Sequence, residues 1–239
     1  MLFFITTLNN ADRATLNAAG PSMSKDLGLD PVQLGIVLSA FGWSYVVAQL
    51  PGGWLLDRFG SYRVYTWCIG LWSIFTLLQG FVGFFSAGIA IVVLFILRFF
   101  VGFAEAPSFP ANGRIVASWF PTKERGTASA IFNSAQYFAT VLFAPLMGMI
   151  IYYLGWKNVF WVMGGLGLAM ILPWIKLVRS PMEHPLMSGR ELESIEKGGA
   201  LVEMDERREV AAGAPAFKWD AVKQLLASRM MIGIYLGQY

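Results

Sequence analysis

Apolar runs of about 20 residues recur along this chain, separated by short polar or glycine-containing turns. A helix rises 1.5 Å per residue, so about 20 residues cover the roughly 30 Å hydrocarbon core of a bilayer. In lipid, every backbone N–H and C=O must find its partner inside the protein, which leaves only helices and closed barrels. The period-two alternation of a membrane β-barrel is absent. The chain therefore reads as an all-α, multi-pass membrane protein with the lipid bilayer as solvent. Its 14% of charged residues agrees, against about 25% in a soluble domain.

Six spans are expected, at about 1–19, 32–56, 62–84, 88–106, 126–153 and 158–178. Gly20-Pro21 is expected to end the first, and Pro51-Gly52-Gly53 to loosen or kink the second. Residues 57–60 read as a tight polar turn. Pro107 and Pro110 are expected to end the fourth span, with Arg114, Lys123, Glu124 and Arg125 in the loop that follows. Trp156, Trp161 and Trp174 are expected at the membrane interfaces. Gly164, Gly165 and Gly167 suggest close helix packing.

After Arg179 the chain becomes polar, and more than half of its charged residues lie beyond Ile175. Residues 179–228 read as a linker with short surface helices at 190–197 and 218–228. An apolar run resumes at Arg229, so 229–239 reads as the start of a seventh span. The expected organisation is a six-helix domain at 1–178, a linker at 179–228 and that new span. Arg58, Arg63, Arg114, Lys123, Arg125, Lys176 and Arg179 fall on one side of such a bundle. The opposite loops hold only Lys25 and Lys157. The first side is expected to be cytoplasmic, with the N-terminus and the linker. Six spans, a linker and a new span is the order of half of a twelve-span transporter. The C-terminal half of the same polypeptide is then the expected partner.

Some functions are disfavoured. The lone Cys68 lies in an apolar run, so neither an intrachain disulfide nor a cysteine metal cluster is expected. The lone His184 reads as a loop residue. The net charge of +3 is small, and the basic residues sit at helix ends, which suits topology better than nucleic acid. There is no nucleophile–base set, no set of metal ligands and no cofactor motif. An enzyme is not expected, and no cofactor is.

Four ionisable groups interrupt the apolar runs: Asp12 and Arg13 in the first, Arg98 and Glu105 in the fourth. A charge at bilayer depth costs at least about 2.5–3.5 kcal/mol on insertion scales, and such groups face cavities and pair with one another. Arg98 and Glu105 are two helical turns apart, about 10 Å. Each needs a partner on another helix or water. Asp12 and Arg13 point about 100° apart, so they meet different neighbours.

Three motifs carry a family resemblance. Residues Gly53-Trp54-Leu55-Leu56-Asp57-Arg58-Phe59-Gly60 form the first, followed by Arg63, with Ser61 and Tyr62 where basic residues are usual. The second is Arg98-Phe99-Phe100-Val101-Gly102-Phe103-Ala104-Glu105-Ala106-Pro107, and the third Asn10-Ala11-Asp12-Arg13-Ala14. The chain resembles the N-terminal half of a major facilitator superfamily transporter, and most closely its anion:cation symporter family. That resemblance implies an all-α, six-helix half of a twelve-helix carrier, working by alternating access in a bacterial inner membrane. It implies a small carboxylate substrate, such as a hexonate or hexarate, moved with protons. It implies Tyr45 and Gln136 as substrate contacts, and Gly53, Asp57, Arg58, Gly60 and Arg63 as a gating loop. Asn133, one turn from Gln136, joins that face.

Charge balance gives a physical route to coupling. The four buried charges sum to zero. A substrate carboxylate at Arg13, whose fork suits it, brings the sum to −1, and a proton on Asp12 or Glu105 restores neutrality. Glu105, with no basic neighbour within one turn of its own helix, is the expected proton carrier, and Asp12 the coupling switch. Arg98 is their charge partner, and a purely structural role for it stays open. Other carboxylates, such as phthalate or tartrate, and a non-transporting sensor or assembly subunit are the alternative readings.

Overall fold

A computed structural model describes residues 1–205 together with Gln224, Ala227, Ser228 and Met231. The chain forms α1 (Leu2–Leu27), α2 (Pro31–Phe59), α3 (Ser61–Gln79), α4 (Ala87–Glu105), α5 (Ser108–Trp119), α6 (Arg125–Leu154), α7 (Trp156–Leu177) and α8 (Gly189–Lys197). Short 3-10 turns lie at Val82–Phe84 and Pro181–Glu183. No strand occurs among the described residues. Five stretches are long and apolar enough to cross a membrane: 31–59, 61–84, 87–119, 125–154 and 156–177. The sixth long helix, α1, is as long but more polar, because it carries Thr6, Thr7, Asn9, Asn10, Asp12 and Arg13.

The helices run further than the prolines and glycines suggest. Gly20-Pro21 does not end α1, which continues through Pro21 to Leu27. It stops where Gly28 turns left-handed, φ 66°, and its N–H bonds the Ser24 carbonyl. Lys25 and Asp26 are therefore helical. Asp30 caps α2 through a reciprocal bond with Gln33, and Pro31 takes the first helical position. Pro51 lies inside α2, which stays helical to Phe59. The expected four-residue turn shrinks to Gly60. Beyond Ala106-Pro107 the chain becomes helical again as α5, so Arg114 sits on a helix and not in a loop. Pro110 is the third residue of α5, where no intrahelical partner awaits its missing N–H. Ser188 caps α8, at the expected surface helix. The expected helix at 218–228 and the span at 229–239 lie outside the described residues, apart from the isolated positions.

The bundle repeats itself upside down. The most extensive helix pairings are α2 with α4, α1 with α6, and α3 with α7. Exchanging α1 with α4, α2 with α6 and α3 with α7 maps this set onto itself. The exchanged helices run in opposite directions. The two equivalent turns share one backbone conformation: Gly60 at φ 80°, ψ 158° and Gly155 at φ 90°, ψ 159°. That region is open essentially to glycine alone. Inverted three-helix units nested in a six-helix half are a transporter architecture. Asp12–Arg13 and Arg98–Glu105 lie on the exchanged pair α1 and α4.

Lipid is as apolar as a protein core, so close packing and interhelical hydrogen bonds hold such a bundle. A Cβ on Gly102 of α4 would meet Ser44 and lie 2.6 Å from the Phe41 carbonyl of α2. Gly164 and Gly167 of α7 press on Ser73 of α3, while Gly165 faces open space. Trp156 and Trp174 are buried within the bundle, near the two ends of α7. Their indole N–H groups donate to Asp26 at 2.8 Å and to Thr66 at 3.0 Å. A tryptophan whose N–H has a partner can be buried whole.

Candidate functional site

The four interior charges come together between α1, α3 and α4. Arg13 Nε donates to Glu105 Oε2 at 2.6 Å. Arg98 Nη2 donates to the Arg13 carbonyl at 2.9 Å. Thr76 Oγ1 of α3 donates to Asp12 Oδ2 at 2.8 Å. As their spacing requires, Arg98 and Glu105 each find a partner on α1, and Asp12 and Arg13 meet different helices. Glu105 has no cation within one turn of its own helix, yet α1 supplies one across the helix crossing.

Two aromatic rings of α2 complete the enclosure. The Arg13 guanidinium carbon lies 4.8 Å from the Tyr45 ring centroid and 5.4 Å from that of Phe41. Arg98 lies 4.8 Å from Phe41. Phe41 thus sits between two guanidinium groups, and its negative ring face offsets part of their repulsion. Asp12, Arg98 and Glu105 are buried, whereas the Arg13 side chain keeps 31% exposure. Of the four, only Arg13 can reach an incoming anion without rearrangement.

Arg13 opens on a cavity of about 110 Å³ between α1, α5 and α6. Asn133 and Gln136 of α6 line it, with Thr6, Asn9, Asn10, Ser108 and Asn112. Three of the expected substrate contacts, Arg13, Asn133 and Gln136, therefore share one space. Tyr45 does not line it and reaches it only through Arg13. Asn9 and Thr6 went unnoticed in the sequence, although they share a helical face with Arg13. Ser108 and Asn112 were hidden by taking 107–125 for a loop. A larger cavity of about 700 Å³ lies at the Met1 end, lined by Leu2, Ile115, Trp119, Phe132 and His184. It is mostly apolar and does not include the four interior charges. The small cavity is the better place for a carboxylate.

The expected gating loop becomes part of a polar junction at the same end. Arg114 of α5 bonds Asp57 at 2.7 Å, Asp205 at 3.2 Å and Ser61 at 2.9 Å. Asp205 in turn accepts from the Ser61 N–H at 2.9 Å and from its hydroxyl at 3.1 Å, capping α3. Arg58 stacks over Trp54 and Phe59. A Cβ on Gly53 would meet open space, and Arg63 lies on the first turn of α3. Arg114 and Asp205 were not legible as partners of this turn, since 57, 114 and 205 are far apart in sequence. No group of residues suited to a metal occurs among the described residues.

The comparisons with known proteins agree with this architecture. The Major Facilitator Superfamily pattern matches residues 2–238. A probable galactarate/D-glucarate transporter of Escherichia coli, GudP, is 59% identical over the whole chain, which covers 53% of it. Its Bacillus subtilis counterpart is 57% identical, with 52% of it covered. A D-galactonate transporter of Escherichia coli is 37% identical, with 54% of it covered. The chain spans about half the length of these relatives. Among solved structures, the proton:xylose symporter XylE bound to 6-bromo-6-deoxy-D-glucose superposes with a TM-score of 0.67 at 16% identity, over 89% of this chain and 54% of that one. A bacterial homologue of the human lysosomal transporter Spinster gives 0.60 at 21% identity, over 74% of this chain and 43% of that one. At such identity the likeness concerns the fold alone. Inverted three-helix units, apolar helices long enough to span a membrane and a superfamily match across nearly the whole chain converge: this chain belongs to the Major Facilitator Superfamily.

Proposed function

We propose that the chain is the N-terminal half of a proton-coupled symporter for a small sugar acid. Hexarates come ahead of hexonates, because the galactarate/D-glucarate transporters are the more similar relatives. One observation carries the reading. Arg13 gives its Nε to Glu105 while part of its side chain stays exposed on a cavity lined by Asn133 and Gln136. A guanidinium has five donors in a planar fork, so its free donors can meet an incoming carboxylate before Glu105 lets go.

The coupling follows from charge. With all four interior groups ionised the site is neutral. A substrate carboxylate at Arg13 makes it −1 and competes with Glu105 for the same cation. Glu105, losing its partner in apolar surroundings, is then stabilised by taking a proton. Asp12, held by Thr76, is the second proton site and the coupling switch. Arg98 is the charge partner, fixed to the α1 backbone. Tyr45 orients Arg13 by stacking, and Asn133 and Gln136 take the substrate hydroxyls. The turn at Gly53, Asp57, Arg58, Gly60 and Arg63 acts with Arg114 as a gate. Residues 1–178 form the membrane domain, 179–228 the linker and 229–239 the entry to the second half. The excess of basic residues at the Met1 end supports a cytoplasmic side for that end in a bacterial inner membrane.

Uptake of labelled aldarates and aldonates into proteoliposomes of the full-length carrier, under an imposed pH gradient, tests this. Galactarate or glucarate uptake that collapses with the gradient is expected. Glu105→Gln should abolish gradient-driven uptake and retain substrate counterflow. Full driven uptake in that variant would remove Glu105 from the mechanism, and no uptake of any sugar acid would overturn the substrate class.

A further inference from the structure

Threonines in these helices share a habit. The hydroxyls of Thr7, Thr15, Thr66 and Thr140 each donate to the carbonyl four residues back, at 2.8, 3.1, 2.8 and 3.1 Å. That bond stays within one helix and is an ordinary use of a helical hydroxyl. Thr76 of α3 departs from it. Its Oγ1 passes over the Trp72 carbonyl, four residues back, and donates to Asp12 Oδ2 of α1 at 2.8 Å. Thr76 is 1% exposed and Asp12 3%, so the bond is shielded from bulk water.

Asp12 meets charge on its other sides. Arg98 and Glu105 of α4 face it, and Arg13 follows it on α1. Among the other helices, α7 carries ionisable groups only near its ends, at Lys157 and Lys176. Between Arg125 and Tyr152, α6 carries only Tyr137, which is exposed. Tyr45 of α2 stacks on Arg13, and Asp57 and Arg58 lie in the last turn of that helix. On α3, Tyr65 and Cys68 are three and two turns before Thr76. From α3, then, Asp12 receives a neutral hydroxyl, which suits both states of a carboxyl. It donates to a carboxylate. It accepts from the acid, turning its own hydrogen to the carbonyl one turn back, as the other threonines do. A carbonyl has two lone pairs, so Trp72 has room for that bond.

We propose that Thr76 is the positioning residue for the proton on Asp12, holding the ionised carboxylate as a donor and the protonated carboxyl as an acceptor. The proposal rests on the reading of Asp12 as a proton site given above. The proton that Asp12 gains or loses exchanges with the aqueous phase, and Thr76 keeps its own throughout. Thr76 Oγ1 and Asp12 Oδ2 stay paired in both states, so neither loading nor unloading strands a buried polar atom. No residue of α3 lines the cavity beside Arg13. Thr76 acts through Asp12 and touches no substrate.

Thr76→Val in the full-length carrier in proteoliposomes tests this, because valine keeps the shape and removes the hydroxyl. Ionised Asp12 then lacks its donor, and the carboxyl holds its proton instead of releasing it. The ratio of gradient-driven uptake to counterflow of galactarate or glucarate should fall roughly tenfold or more, the factor that losing one hydrogen bond to a charged group implies. Thr76→Ser keeps a hydroxyl and should restore most of the ratio. If Thr76→Val fails to fold, Thr76→Ala makes the same deletion and carries the comparison with Thr76→Ser. An unchanged ratio in the hydroxyl-free variant would overturn the proposal. So would equal loss of both activities, or a Thr76→Ser that behaves like the hydroxyl-free variant. Asp12→Asn is measured alongside and should lose driven uptake. If it keeps driven uptake, the reading of Asp12 as a proton site fails. If it uncouples while the Thr76 variants do not, only the role of Thr76 fails.

Discussion

Arg13 combines three roles that a lysine could not. It bonds Glu105 through Nε, lies against the Tyr45 ring at 4.8 Å, and keeps donors toward the cavity. A lysine is a point charge without a fork or a flat face. Arg13→Lys should raise the half-saturating concentration for sugar-acid counterflow at least tenfold, equivalent to about 1.4 kcal/mol. Unchanged affinity would show that charge alone suffices there. Asp12 offers a contrast at the same scale. It is buried and held by a neutral hydroxyl, so its proposed role lies in switching and not in gripping the anion.

Gly60 and Gly155 are the single-residue turns between paired helices, and their shared conformation excludes side chains. A Cβ on Gly155 would touch nothing within 4 Å, so the cost of Gly155→Ala is backbone strain alone, about 1–3 kcal/mol. Thermal unfolding of the purified protein in detergent should show that loss, whereas Gly165→Ala, also in open space but in ordinary helix, should be nearly neutral. The polar junction beside Gly60 gives a second ordering. Asp57 is 51% exposed and Asp205 only 15%. Water screens the exposed pair, so its contribution is about 0–1 kcal/mol. Asp205 also caps α3 through Ser61, and losing a cap costs about 1 kcal/mol more. Asp205→Ala should therefore lower the unfolding midpoint more than Asp57→Ala, and the reverse order would refute this account.

Across the whole molecule, α2 and α6 leave large apolar side chains uncovered, Trp43 at 72% and Val141 at 76% exposure among them. These helices are equivalent under the inverted repeat, which supports a second half docking along both. The chain spans about half of its relatives, and the cavity beside Arg13 is walled from one side of such a carrier. Residues 1–239 alone, reconstituted into vesicles, should not accumulate any sugar acid under a pH gradient. Accumulation by this chain alone would sink the two-half reading.

The all-α membrane class, the long apolar helices and the superfamily were legible in the sequence, because lipid admits few architectures and about 20 apolar residues mark each crossing. The four interior charges were legible too, since each stands out against an apolar run. Helix ends were less so: Pro21, Pro51 and Pro110 each sit where a helix tolerates them, and only the packed backbone reveals that. Partners were least legible. That Arg13 pairs with Glu105, that Arg114 joins Asp57 to Asp205, and that Asn9 and Asn112 share a cavity depends on how helices cross. Sequence determined which groups had to be paired inside the membrane, because an unpaired charge there is too costly. Only the tertiary structure decided the pairings, because a hydrogen bond depends on positions within a few tenths of an ångström, and helix packing sets those.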